Sequence, residues 1–118
     1  MDPEELLAGH PVAETVYEKV RSVLADLGQF EVRTSKSQIA FRRTRGFAYL
    51  WLPGQYLTNP DAEVVLSIAL GRHDRSARFK EVAHPTARHW MHHLELHDPD
   101  EIDDEVLDWL REAAERAS

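Results

Sequence analysis

Hydrophobic residues recur at two different periods along the chain, and the change of period predicts the order of its elements. A period of three to four residues is typical of an amphipathic helix, whereas strict alternation is typical of a strand. The helical period predicts helices over residues 1–8, over residues 11–27 and from an Asp103 N-cap to about Arg116. Asp2 and Glu5 form a predicted capping box in the first helix, and Gly28 ends the second.

The alternating period fills the middle of the chain. It predicts strands over residues 30–34, 38–43, 47–52, 64–70, 78–83 and 88–97. The last segment also fits a helix, in which three of its histidines would cluster, but its alternation is longer and favours a strand. Strands grouped between flanking helices predict an α+β fold, with an N-terminal helix, an antiparallel sheet of about five or six strands and a C-terminal helix packed on the sheet.

Composition narrows the class of protein. The chain has 118 residues and no cysteine, so we expect one domain over residues 1–118 without disulfides or cysteine-ligated metal. No apolar run is long enough to span a bilayer, and the acidic N-terminus lacks the features of a signal peptide, so a cytoplasmic location is expected. The formal net charge of −7 predicts no nucleic-acid partner and no membrane partner, because both surfaces are anionic.

Several short motifs give the chain a family resemblance. They are Ser35 to Arg43, then Gly46-Phe47-Ala48, and in the tail His92-His93-Leu94, residues 102–106 and Trp109-Leu110. Together they resemble the signature of the uncharacterised bacterial domain-of-unknown-function family 5655, from about His10 onward. The resemblance implies a curved antiparallel sheet packed against terminal helices. No catalytic residues are assigned in the family, so the resemblance points to none in this chain. Ala113-Ala114 departs from the Ala-Tyr that often ends such tails.

Four of the seven histidines lie within residues 89–97, which makes this segment a candidate metal site. On a strand, His93, Glu95 and His97 project from one face, with neighbours about 7 Å apart. Imidazole and carboxylate groups are common ligands of divalent metals. The alternative is a solvated strand face, since the pattern lacks a separate further ligand. On the opposite face, His92 is expected to be a hydrogen-bonded histidine in the core or at its rim.

A basic cluster and a row of aromatic residues are candidates for binding a ligand. Lys36, Arg42 and Arg43 crowd one predicted hairpin, where they favour an anion such as a phosphate or a carboxylate. Tyr49 and Trp51 follow on one face of the next strand, with Phe47 before them. The alternatives are protection of a sheet edge by the charges and burial of the aromatic rings in a second core layer.

These observations favour a binding or interaction module over an enzyme. The predicted partner is an anionic small molecule or a protein, bound by Lys36, Arg42, Arg43, Tyr49 and Trp51. One alternative is a metal-dependent hydrolase that uses His93, Glu95 and His97, and another is a structural homodimer formed through the strand over residues 47–52. No cofactor is predicted, because the chain has no glycine-rich phosphate loop, nucleophile elbow or zinc-binding helix motif.

Overall fold

The computed structural model describes every residue from Met1 to Ser118. The helices are α1 (Pro3–Leu7), α2 (Pro11–Ala25) and α3 (Asp104–Arg116). The strands are β1 (Glu31–Thr34), β2 (Ile39–Arg42), β3 (Gly46–Trp51), β4 (Val64–Leu70), β5 (Glu81–Thr86) and β6 (His89–Leu96). Short 3₁₀ turns lie at Pro53–Gln55 and Pro99–Glu101. The predicted α+β fold is confirmed, and residues 89–96 of the ambiguous segment 88–97 form strand β6.

The six strands form one sheet in the order β1-β2-β3-β4-β6-β5, and every neighbouring pair is antiparallel. The chain therefore leaves β4 for the far edge, forms β5, and returns as β6 to pair with β4. This crossover makes β4 an interior strand, and all seven of its residues are buried. A strand that is apolar on both faces belongs in such a position.

The helices cover one face of the sheet and leave the other face without a helical layer. Helix α3 packs on β3 and β4, and α2 packs on α3. Leu66, Ile68 and Leu70 point into a core that includes residues of all three helices. Each such side chain contributes roughly 1.5–3 kcal/mol through burial. The alternate β4 residues lie on the opposite face.

Local sequence explains where the helices begin and end. Asp2 and Glu5 form the predicted capping box of α1, and Asp103 caps α3 by accepting a hydrogen bond from the Val106 backbone N–H at 3.1 Å. Helix α2 ends at Ala25, two residues before its predicted end. The chain then leaves the helix through Gly28, whose φ of +128° is disfavoured for residues with a side chain.

Strand β5 lies three residues later than the sequence pattern predicts. Arg78 precedes it, and this side chain forms ion pairs with Asp103 and Glu105 at the start of α3. The strand continues through Pro85, where a break was expected. Proline is tolerated there because β5 is an edge strand with an irregular register between Ala83 and Thr86.

Candidate functional site

A row of polar side chains crosses the face of the sheet that carries no helix. Tyr49 of β3, Ser67 of β4, His93 of β6 and Glu81 of β5 are successive partners in the strand register. Side chains at paired positions of neighbouring antiparallel strands lie on the same face and close together. The crossover that inserts β6 between β4 and β5 therefore places a serine beside a histidine.

Ser67 and His93 of this row are joined by a hydrogen bond, and Trp51 of β3 is bonded to the same serine. The Trp51 indole Nε1–H donates to Ser67 Oγ at 2.8 Å, and Ser67 Oγ lies 2.6 Å from His93 Nδ1. Because the serine oxygen accepts from an indole that can only donate, the serine hydroxyl is free to donate to Nδ1. We assign the hydroxyl as the donor in this pair, and with that assignment the neutral His93 ring carries its proton on Nε2, so that Nε2–H is a hydrogen-bond donor.

Burial keeps this histidine neutral. Removal of the His93 ring from water lowers the pKa of His93 below its ordinary value of 6.5, and the nearby Glu81 carboxylate offsets part of that shift. Neutral imidazole is therefore the form present at neutral pH. With Nδ1 engaged by Ser67, the ring presents one donor rather than a positive charge.

These residues line a concavity of about 400 Å³, which we call the sheet-face groove. Its lining residues are Ser37, Gln38, Tyr49, Trp51, Tyr56, Ser67, Met91 and His93. The Trp51 ring meets Tyr56 and His93 edge-on, with centroid separations of 6.0 and 5.9 Å. Known ligand sites have volumes of about 300–1,000 Å³ and combine apolar and aromatic walls with a few polar groups. The sheet-face groove has this composition.

Gly46 allows the Tyr49 ring to lie where it does. A Cβ atom at position 46 would overlap the Tyr49 hydroxyl and come within 2.9 Å of Tyr49 Cζ. The Tyr49 side chain therefore folds back over the bare backbone at the start of β3. The absence of a side chain at Gly46 helps to set the shape of this end of the groove.

The predicted aromatic row contains two residues rather than three. Tyr49 and Trp51 are partly exposed in the sheet-face groove, whereas Phe47 is 1% exposed and belongs to the core beneath the helices. Phe41 pairs with Ala48 and Arg42 pairs with Gly46, so Phe47 is an extra residue in β3. Such a bulge interrupts the alternation from which the row was predicted.

The predicted basic residues lie outside the sheet-face groove. The exposed Lys36 contributes a backbone carbonyl, which accepts a hydrogen bond from the Gln55 side chain at 3.1 Å. Arg42 and Arg43 line a different concavity near the end of α2. The five residues predicted as one ligand site are therefore divided between separate places.

The three predicted metal ligands are not assembled into a chelating group. His93 directs Nδ1 at Ser67, while His97 lies exposed beyond the end of β6 at Leu96. No group of three or more histidine, aspartate or glutamate side chains has the geometry to hold a metal ion. His93, Glu95 and His97 alternate along β6 and the residue after it, but the structure does not bring them together.

The neighbouring His92 has a structural role on the helix-covered face. It is 0% exposed, and its Nδ1–H donates to the Trp90 carbonyl at 3.0 Å while Nε2 accepts from the Asp74 backbone N–H at 2.9 Å. The prediction of a hydrogen-bonded core histidine is confirmed. The Asp74 carboxylate in turn accepts from the Trp109 indole at 3.0 Å, which ties α3 to the segment after β4.

Ser67 was not among the predicted site residues, although the sequence carries a signal for it. It is the single polar residue in the run Val64–Leu70 and is 3% exposed. A polar side chain inside such a strand needs a hydrogen-bond partner. That requirement alone does not identify His93, because β5 separates β4 from β6 along the chain.

Comparison with known proteins places the chain in a family. The family model described as "Domain of unknown function (DUF5655)" matches residues 4–116. The chain belongs to this family. The predicted resemblance is thus confirmed, and the family description assigns no activity to a DUF5655 domain. No curated protein and no solved structure is significantly similar to the chain. None of the three helices has the length and apolar character needed to cross a membrane.

Proposed function

We propose that this DUF5655 domain is a binding module whose sheet-face groove takes a small planar ring compound. The hydrogen-bonded chain from Trp51 through Ser67 to His93 is the observation that carries the proposal. It fixes one donor, His93 Nε2–H, among aromatic side chains. Trp51 and Tyr56 provide the flat apolar surfaces on which a ring packs.

The fixed donor defines the polar group that the ligand carries. A neutral Nε2–H pairs with an acceptor, such as the carbonyl oxygen of an amide attached to the ring. A ring without an acceptor would remove water from the Nε2–H group without replacing the hydrogen bond, and this disfavours binding. The groove therefore favours ring compounds with an exocyclic carbonyl over plain aromatic hydrocarbons.

Serine hydrolases also pair a serine with a histidine, but there the serine faces Nε2, whereas Ser67 faces Nδ1 of His93. The surroundings of Ser67 also favour binding. Ser67 is 3% exposed, so a carbonyl carbon has little access to its oxygen. The Trp51 indole also occupies an acceptor position on that oxygen.

The predicted homodimer has less support than ligand binding. It was inferred from apolar surface on the strand over residues 47–52, but Phe47, Ala48, Leu50 and Leu52 are all buried within the chain. Strand β3 also has neighbours on both sides, so its edges are occupied. The apolar surface that remains near β3 consists of Trp51 in the sheet-face groove and of Tyr56 and Leu57 in the adjoining loop.

Nicotinamide and toluene are two single-ring probes that differ in hydrogen-bond acceptors, because nicotinamide carries an exocyclic carbonyl and a ring nitrogen whereas toluene carries no acceptor. We expect nicotinamide at millimolar concentration to shift the NMR signals of the Trp51 indole and of His93, and toluene to shift them much less. His93→Phe keeps a ring but removes the donor, and it should weaken nicotinamide binding at least about tenfold, equivalent to about 1.4 kcal/mol.

His84→Phe is the matched control, because the His84 ring stacks on Trp90 with ring centroids 3.5 Å apart and does not line the groove. This variant should bind nicotinamide like the unmodified protein. Two results would overturn the proposal: no shift at Trp51 or His93 with either probe, or equal nicotinamide binding by His93→Phe and His84→Phe.

A further inference from the structure

A second concavity, of about 560 Å³, lies where α2 ends and β1 begins, and we call it the Arg42 groove. It is lined by Ala25, Gly28, Gln29, Phe30, Glu31, Arg42 and Arg43. It shares no lining residue with the sheet-face groove. A ligand here would therefore be recognised independently of one bound beside Ser67 and His93.

Arg42 differs from the other partly buried arginines. Arg43 donates to Ser118 Oγ and to the Leu27 carbonyl, Arg78 forms ion pairs at the start of α3, and Arg116 donates to the Arg88 carbonyl. The Arg42 guanidinium has no hydrogen-bond or ion-pair partner in the protein, although the chain carries 21 acidic residues. A partly buried charge without a partner is unusual because its loss of hydration is not compensated.

The atoms of the Arg42 guanidinium are not equally accessible. Its Nε is buried without an acceptor, whereas the two Nη atoms are neither buried nor bonded to protein groups. The exposed end of the guanidinium can thus offer two parallel N–H donors. This fork matches the two oxygens of a carboxylate, and charge-assisted bonds of this kind are stronger than neutral ones.

The groups around Arg42 favour a single negative charge. Arg43 adds a second positive charge to the groove, and Glu31 is engaged with Arg33 at 3.6 Å. Glu31 and the carbonyl end of α2 oppose a highly charged anion through repulsion. Phe30, which packs against Phe41 with centroids 6.2 Å apart, provides an aromatic wall beside the charged end of Arg42.

We propose that the Arg42 groove binds a monocarboxylate with an apolar or aromatic substituent. The carboxylate pairs end-on with the two Nη groups of Arg42, and the substituent lies against Phe30. This site keeps part of the anion-binding role predicted for Lys36, Arg42 and Arg43, but its ligand is separate from the ring compound of the sheet-face groove.

Three probes test the proposal. Phenylacetate carries a ring and one negative charge, phenylacetamide carries the ring without the charge, and inorganic phosphate carries negative charge without a ring. We expect phenylacetate to shift the NMR signals of Arg42 Nε–H and of the Phe30 backbone. Binding to the Arg42 groove is measured from these signals, because a ring with a carbonyl group also suits the sheet-face groove. The neutral amide and phosphate should bind at least about tenfold more weakly. Equal binding of phosphate and phenylacetate would contradict the apolar part of the proposal.

Arg42→Met separates a binding role from a structural one. It retains the apolar stem and removes an unpaired charge, so its melting temperature should be equal to or above that of the unmodified protein while phenylacetate binding is lost. Arg21→Met is the control, because Arg21 is exposed on α2 without a partner, and it should keep full binding. Unchanged phenylacetate binding by Arg42→Met would overturn the proposal whatever the melting temperature of the variant, as would the absence of any shift at Arg42 or Phe30 in the unmodified protein.

Discussion

Ser67 Oγ lies 2.6 Å from His93 Nδ1 on a face of the sheet that no helix covers. The two residues are direct partners in the β4–β6 register, and Trp51 holds the serine from the other side. With the serine hydroxyl assigned as the donor to Nδ1, the neutral histidine has one donor, Nε2–H. The proposed ligand chemistry of the sheet-face groove follows from that donor.

Removing the Ser67 hydroxyl should destabilise the fold. Ser67→Ala leaves the Trp51 indole without an acceptor and His93 Nδ1 without a donor, in a part-buried setting. We expect the free energy of unfolding in urea to fall by about 1–3 kcal/mol. Ser22→Ala, at an exposed position of α2, is the control and should change it little. Equal stability of the two variants would mean that the hydrogen-bonded chain is not formed in solution.

The stability of the fold should fall as the pH drops below about 6.5. Burial lowers the pKa of both His92 and His93 below that ordinary value in the folded protein. The unfolded chain therefore takes up protons first as the pH decreases, and protonation draws the equilibrium toward unfolding. Thermal unfolding at about pH 7 and about pH 5 should show the loss, and His93→Gln should reduce it.

Asp74 affects the stability of the fold in a different pH range from the two histidines. Burial raises the pKa of Asp74, but hydrogen bonds from the Ser76 N–H, Trp109 and Arg72 outweigh it, so the pKa lies below 3.8. The stability that the ionised Asp74 carboxylate contributes is therefore lost only as the pH falls below about 3.8. A melting temperature that stays constant between about pH 7 and about pH 5 would contradict the burial of two neutral histidines.

A methyl group at position 46 should disturb the sheet-face groove. In Gly46→Ala the new Cβ overlaps the Tyr49 hydroxyl, so the Tyr49 ring has to move. We expect weaker nicotinamide binding and a changed Tyr49 ring signal by NMR. In Gly54→Ala the new atom would lie 3.9 Å from Pro60, an ordinary contact, so this control should bind normally. Unchanged nicotinamide binding by Gly46→Ala would show that the position of Tyr49 does not shape the site.

The Asp74 carboxylate should contribute more to stability than an exposed carboxylate. The carboxylate accepts hydrogen bonds from the Trp109 indole and from Arg72. The backbone N–H of Asp74 itself donates to His92 Nε2. Asp74→Asn removes the charge and places an amide against these donors, with an expected loss of about 1.5–3 kcal/mol in urea unfolding. Asp108→Asn is the control, since Asp108 is exposed and pairs only with Arg111. Equal losses in the two variants would refute a structural role for the Asp74 network.

Local pattern was sufficient to predict most of the secondary structure. The run Val64–Leu70 has the predicted bounds, and the Asp103 cap and the strand character of residues 89–96 follow from propensity and period alone. The groove residues Tyr49 and Trp51 were also accessible from alternation, because they lie beyond the bulge at Phe47. Features of this kind depend only on residues close together in the chain.

The pairing of Ser67 with His93 could not be read from the sequence in the same way. It requires β6 to return past β5 and pair with β4, which no local pattern specifies. The roles of Arg42 and Arg43 are similarly non-local. Arg43 finds acceptors in the turn after α2 and at Ser118, whereas Arg42 finds none. Alternation correctly placed His93 and Glu95 on one strand, but it does not decide whether their donor atoms and that of His97 meet, and the structure does not bring them together.

The proton position on the His93 ring is the most direct test of the proposed site. Long-range ¹H–¹⁵N NMR correlations distinguish the two neutral forms of imidazole and the charged form. At neutral pH the structure predicts a neutral ring with the proton on Nε2 and an unprotonated Nδ1 facing Ser67. A proton on Nδ1, or a charged ring at neutral pH, would contradict the fixed donor on which the proposed function rests.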